Sequence, residues 1–143
     1  MSGPRLPMVA WVALGSALGA SARWGLGHLL GTSAQVGFPW GTLAINIIGS
    51  ALIGCYAAIV SADGRWLASP QQRNFVMAGF CGGFTTFSLF TAEVLASIAS
   101  GKPLLAAAII VLSVPAWLVG VWGGYLAGQY FNRVGPRHRG DLP

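Results

Sequence analysis

A chain of 143 residues and 14.8 kDa that is 55% hydrophobic and only 8% charged cannot clothe a soluble domain, in which about a quarter of residues are charged. The balance of +5, from eight Lys and Arg against three Asp and Glu, is too sparse for a nucleic-acid surface, so the composition points to a lipid bilayer as solvent. Two histidines (His28, His138) and three acids (Asp63, Glu93, Asp141) leave little material for metal centres or catalytic groupings, and Cys55 and Cys81 form no CxxC pair.

Crossing about 30 Å of hydrocarbon takes roughly 20 apolar residues in a helix. The first stretch, Met8–Leu30, is long enough for that and too long for the apolar core of a cleavable signal. It carries Arg23 near its end and glycines at four-residue spacing, Gly15/Gly19 and Gly27/Gly31. A short turn-rich loop from Gly31 to Pro39 leads to the second stretch, Trp40–Val60, where Thr42, Asn46 and Ser50 recur on one helical face. A polar loop, Asp63–Asn74, precedes the third stretch, Phe75–Ile98, and the tight turn Ser100-Gly101-Lys102-Pro103 precedes the fourth, Leu104–Tyr130, with Ser113 and the series Gly120/Gly124/Gly128. Residues 131–143 form a polar basic tail. Backbone groups in lipid must be satisfied internally and strict alternation is absent, so these spans are helices rather than barrel strands. The expected architecture is one all-α membrane domain over residues 1–143, with four transmembrane helices at 8–30, 40–60, 75–98 and 104–130.

An even number of spans puts both termini and the second loop on one side, with Arg5, Arg65, Arg73, Arg133, Arg137 and Arg139. Lys102, and Arg23 near the first loop, lie on the other side. The positive-inside rule makes the arginine-rich side cytoplasmic. The glycine faces allow helices to approach closely, either within one chain or between subunits.

Polar residues inside apolar spans are costly and are functional candidates by default. Asn46 offers two donors and an acceptor, so it serves either as a tie between helices or as a substitute for water around an anion. In the third span, Gly79-Phe80-Cys81-Gly82-Gly83-Phe84-Thr85-Thr86-Phe87-Ser88-Leu89-Phe90-Thr91 sets paired glycines and hydroxyls at mid-membrane. A helix broken there frees carbonyls, hard oxygen ligands that suit a cation such as Na⁺; a helix left intact uses the glycines for close contact. Phe87 and Phe90 share a face, packing against neighbours or turning their positive ring edges toward an anion. Arg23 either snorkels to the interface or raises anion concentration at a pore mouth. Glu93, the single acid inside a span, admits the roles of proton carrier, helix tie or vestibule residue.

Three motifs in order, GSALGASARW (Gly15–Trp24), GTLAINIIGSALIG (Gly41–Gly54) and GFCGGFTTFSLFTAE (Gly79–Glu93), make the chain similar to the CrcB/Fluc family of fluoride channels, over about Gly15 to Gly128. The resemblance implies a dual-topology dimer of antiparallel subunits in the plasma membrane. It also implies two fluoride pathways and a structural Na⁺ at the dimer interface, between third helices broken at their centres. Carried over by position, the backbone carbonyls of Gly82 and Thr85 would hold the Na⁺. Asn46, Phe87, Phe90, Thr42 and Ser113 would line the fluoride pore, with Arg23 in the vestibule. The function implied is passive fluoride efflux that protects against fluoride toxicity. Two positions depart from the family's fourth-helix polar track: Ile109 stands where a Tyr is frequent, and Trp117 replaces a small or hydroxyl residue. The arginine bias leaves the partner open between an identical chain and an oppositely inserted paralogue.

A rival from another class is a proton-coupled small-molecule exporter of the small four-helix type, for which Glu93 would be the carrier. A non-transporting membrane assembly factor is a third reading. No nucleophile–base or metal-ligand set points to an enzyme.

Overall fold

The computed structural model describes residues 7–30, 37–61, 64 and 66–134. Among them every regular element is helical: α1 (Met8–Leu29), α2 (Trp40–Ile59), α3 (Pro70–Arg73), a π-helical segment (Asn74–Cys81), α4 (Gly82–Phe84), α5 (Phe87–Ala99) and α6 (Pro103–Val134). Most of the first loop, Arg5, Arg65, Arg137, Arg139 and the tail from residue 135 lie outside the described residues.

Three helical stretches are long and apolar enough to cross a membrane: Trp40–Ile59, Pro70–Ala99 and Pro103–Val134, with mean hydropathies of 1.8, 1.4 and 2.5. Their outer faces carry the apolar load, with Leu104 85% exposed. The 22 residues of α1 extend about 33 Å at 1.5 Å each, but Ser16, Ser21, Arg23 and His28 dilute its apolarity. Apolarity therefore accounts for three of the four crossings expected.

The third stretch begins at Pro70, five residues before the expected Phe75. Ser69 accepts from the Gln72 N–H while the Gln72 side chain accepts from the Ser69 N–H, a reciprocal cap that starts the helix ahead of the apolar run, with proline at the first helical position. The π-helical turn that follows was not legible as a pattern, and neither was the unbroken course of α6 through Pro115.

Backbones packed through glycine organise the molecule. α1 lies against the π-helical segment and α4, while α6 packs on both α2 and α5. A Cβ on Gly19 would overlap the Phe80 carbonyl oxygen, and one on Gly124 would overlap that of Ala51. Gly54 meets Val121 and Gly128 meets Cys55 in the same way. The small faces at Gly15/Gly19 and Gly120/Gly124/Gly128 thus serve contacts within this chain, where close approach replaces the hydrophobic drive that lipid does not supply.

Candidate functional site at the helix interruption

Helix three is interrupted, but not at its glycines. Gly82 and Gly83 stay helical in α4, and Gly83 presses against the Ser16 backbone of α1. The chain turns extended at Thr85 (φ −76°, ψ 160°) and Thr86 (φ −144°, ψ 116°), then resumes as α5. The break lies a few residues later than glycine propensity suggests, because packing on α1 holds the glycines and side chains reward the threonines.

Those side chains can be traced atom by atom. Asn46 of α2, only 5% exposed, accepts from the Thr86 N–H at 2.8 Å through Oδ1 and donates to the Thr86 carbonyl at 2.9 Å through Nδ2. Thr86 Oγ1 accepts from the Leu89 N–H at 3.1 Å, capping α5. Both the N–H and the hydroxyl of Thr85 donate to the Cys81 carbonyl, at 3.0 and 2.9 Å. In a continuous helix the Gly82 carbonyl would receive the Thr86 N–H and the Thr85 carbonyl the Leu89 N–H. Asn46 takes the first of these donors and the Thr86 hydroxyl the second.

Beside the interruption is a cleft of about 220 Å³ lined by Asn46, Ser50, Thr85, Thr86, Phe87 and Trp117. Of the residues expected in a site, it brings together Asn46, Thr85 and Phe87. Thr42 (2% exposed), Phe90 (5%) and Ser113 (2%) are buried and are not among its lining residues. Gly82 is exposed, and a Cβ there would meet only the Met77 carbonyl oxygen, at an ordinary 3.9 Å. Arg23, half-buried on α1, stands apart from the cleft lining.

Phe87 and Phe90 keep the shared side read from their spacing, with ring centroids 5.6 Å apart, but differ in setting. Phe87 is 68% exposed, whereas Phe90 meets the Trp117 ring edge-on at 4.9 Å. One turn before Asn46, Thr42 donates to Glu93 Oε1 at 2.6 Å. Glu93 therefore ties α5 to α2, one of the roles open to it from the sequence. Its second carboxyl oxygen and the Trp117 indole nitrogen are buried without a hydrogen-bond partner among the described residues.

Sequence reasoning did not name Thr86 as Asn46's partner, nor Ser50 as a site residue, although Ser50 was on the polar face of α2. Trp117 was noticed only as a departure from a pattern. A threonine pair following a glycine pair is the local signal for Thr86, since threonine favours extended backbone and helix N-caps. Among the described residues, no group of three or more His, Cys, Asp or Glu is placed to hold a metal ion.

Residues 10–125 match the family model described as CrcB-like protein, camphor resistance (CrcB). The chain is 45% identical over 127 residues to a protein of Bradyrhizobium diazoefficiens named fluoride-specific ion channel FluC 1, covering 89% of this chain and 88% of the relative. A Rhodopseudomonas palustris protein of the same name is 45% identical over 134 residues, covering 91% and 92%. The fluoride-specific ion channel FluC of Paramagnetospirillum magneticum is 44% identical over 124 residues, covering 87% and 97%.

Proposed function

Because the chain belongs to the CrcB-like family, a multi-pass membrane protein family, we propose that it is a fluoride-selective channel giving passive fluoride efflux across the bacterial plasma membrane. The observation that carries the reading is the buried Asn46 amide beside a cleft at an interrupted helix, in a chain whose relatives are named fluoride-specific channels.

Fluoride is small and strongly hydrated, so its path must replace water well enough for entry and loosely enough for exit. Asn46 keeps a second amide hydrogen beyond the one given to Thr86, Ser50 offers a hydroxyl, and Phe87 offers the positive edge of its ring. None carries a full charge that would trap the ion. Thr42, Ser113 and Phe90 extend the pore from the cleft into the helix bundle, and Arg23 supplies positive potential in the vestibule. The narrow path and close donors disfavour larger halides.

The functional unit is a dimer of oppositely inserted subunits, either identical chains or this chain with a paralogue. α1 is the fourth crossing, supported by its close packing on the Phe75 and Phe80 carbonyls of a membrane helix. The two carbonyls expected to hold a central Na⁺, of Gly82 and Thr85, are those whose helical donors go elsewhere. Bare carbonyls in lipid need a partner, and a hard cation shared with the partner subunit's equivalent pair meets that need. When bound, Na⁺ supplies charge that holds the two interrupted helices together.

The test is fluoride efflux from liposomes containing the purified chain, read with a fluoride-selective electrode under an ionophore that removes charge limitation. Efflux above protein-free liposomes, with chloride far slower, is the expected result. Absence of fluoride flux with this chain, both alone and with any co-purifying partner chain, overturns the proposal. The exporter reading has no observation in its favour, since its one candidate acid is engaged with Thr42.

A further inference from the structure

On the face of α6 toward α2, Ile109 and Ser113 are 1% and 2% exposed, Trp117 follows one turn later, and Gly120 comes within 3.4 Å of the Ser50 side chain when given a Cβ. The Trp117 indole therefore enters the same cleft as Asn46 and Ser50. Its ring is held edge-on against buried Phe90, with centroids 4.9 Å apart at 74°.

The indole nitrogen is a donor and nothing else. It is buried and has no acceptor among the described residues. A buried donor left unpaired is costly, and a phenylalanine would place an aromatic ring there without that cost. The other unpaired buried atom, Glu93 Oε2, does not receive it. The donor is therefore spare, and it belongs to a ring that lines the cleft. Donation into the cleft requires the indole to turn its N–H edge toward it, since the nitrogen is buried in this structure.

Resting on the fluoride-channel reading, we propose that Trp117 is a specificity-determining residue whose indole N–H donates a hydrogen bond to the transported anion in the Asn46 cleft. With the second Asn46 amide hydrogen and the Ser50 hydroxyl, the indole gives a partly dehydrated anion three neutral donors from α2 and α6. Sealed from water, the indole has little hydration of its own to lose when it binds. A directional N–H donor favours a compact anion with concentrated charge over a large one, so Trp117 would contribute to selectivity as well as to affinity.

The test uses the full-length assembled protein with ¹⁵N-indole-labelled tryptophan in nanodiscs. Sodium fluoride and sodium chloride are titrated at matched ionic strength. The Trp117 resonance is identified as the indole signal missing from Trp117→Phe. Fluoride is expected to move that indole proton downfield saturably, and chloride is not. In liposomes, Trp117→Phe is expected to lower fluoride efflux about tenfold, the scale of one lost hydrogen bond to a charged group. An indole signal unmoved by fluoride in a protein that conducts fluoride overturns the proposal, as does a Trp117→Phe channel that conducts and selects like the parent. If the variant does not fold, the Trp117 signal is instead identified from its contacts to Phe90 and the titration of the parent decides. A parent that conducts no fluoride overturns the channel reading itself, a result distinct from either of these.

Discussion

Asn46 and Thr86, forty residues apart in sequence, form a closed pair in which one side-chain amide satisfies both polar groups of one residue's backbone, at 2.8 and 2.9 Å. In effect the amide adds a peptide-like partner to a helix that has stopped. A glutamine would place the same group one methylene too far, and a serine has one short hydroxyl where the amide offers a separate donor and acceptor. This pair lets the third helix break inside an apolar bundle without leaving the Thr86 backbone unpaired.

Asn46→Leu is expected to remove both bonds and leave the Thr86 backbone groups buried and unpaired, at about 1–3 kcal/mol for each group. The outcome is a lower unfolding temperature in detergent together with fluoride efflux at background. Asn46→Asp keeps an acceptor for the Thr86 N–H but brings a carboxylate to the cleft, so flux is lost through repulsion of the anion. Thermal melts beside electrode-recorded efflux check both variants.

Phe90 and Phe87 are expected to separate packing from permeation. Phe90→Ala empties a buried site and costs about 3–5 kcal/mol, read as a large fall in unfolding temperature. Phe87→Ala, at a position 68% exposed in the chain, is expected to cost less stability while still lowering fluoride efflux. Equal destabilisation by the two variants would contradict the different settings of the rings.

Gly124 and Gly123 are adjacent and make a direct test of close helix approach. A Cβ at Gly124 meets the Ala51 backbone, with Cα and carbonyl carbon at 2.8 and 2.7 Å, whereas one at Gly123 meets nothing within 4 Å. Gly124→Ala therefore forces α2 and α6 apart and costs about 1–3 kcal/mol. Gly123→Ala is neutral or stabilising by up to about 1 kcal/mol through helix propensity. Folded yield on size-exclusion chromatography and thermal melts distinguish the two.

Thr42→Val is expected to remove the one hydrogen bond that the Glu93 carboxyl makes among the described residues, at about 1–3 kcal/mol. Thr42→Ser, which keeps the hydroxyl, recovers most of it. A double-mutant cycle of Thr42→Val with Glu93→Leu is expected to return a coupling of about 0.5–3 kcal/mol. Additive effects would show that the bond contributes nothing to stability.

Removal of Na⁺ is expected to lower fluoride efflux if the Gly82 and Thr85 carbonyls hold the ion. The measurement replaces sodium with N-methylglucamine on both sides of the liposome throughout purification and assay. Efflux unchanged after exhaustive exchange would remove the cation from the mechanism and leave the Asn46 cleft intact.

How much of this was legible in the sequence depends on the range of the interaction. Apolar stretches compel helices because lipid leaves backbone groups no other partner, so α1, α2 and α6 could be located to within a few residues. Thr42, Asn46 and Ser50 could be placed on one face by spacing alone. The position of the break could not, because Gly82 and Gly83 look weaker than Thr85 and Thr86 until Ser16 is seen against Gly83 and Asn46 against Thr86. Nor could the division between Phe87 and Phe90, which share a helical side and differ in what stands opposite.

By itself, then, the amino-acid order determined a helical membrane protein with a polar face on its second helix and a weak point in its third. Those properties follow from residue chemistry and from a helical period that repeats over a few positions. Only the tertiary structure decided that Asn46 clamps Thr86, that Glu93 answers Thr42, and that Trp117, its indole N–H buried and unpaired among the described residues, lines the cleft. Such pairings depend on the rotation and depth of one helix against another, and those are set by where glycines let backbones touch.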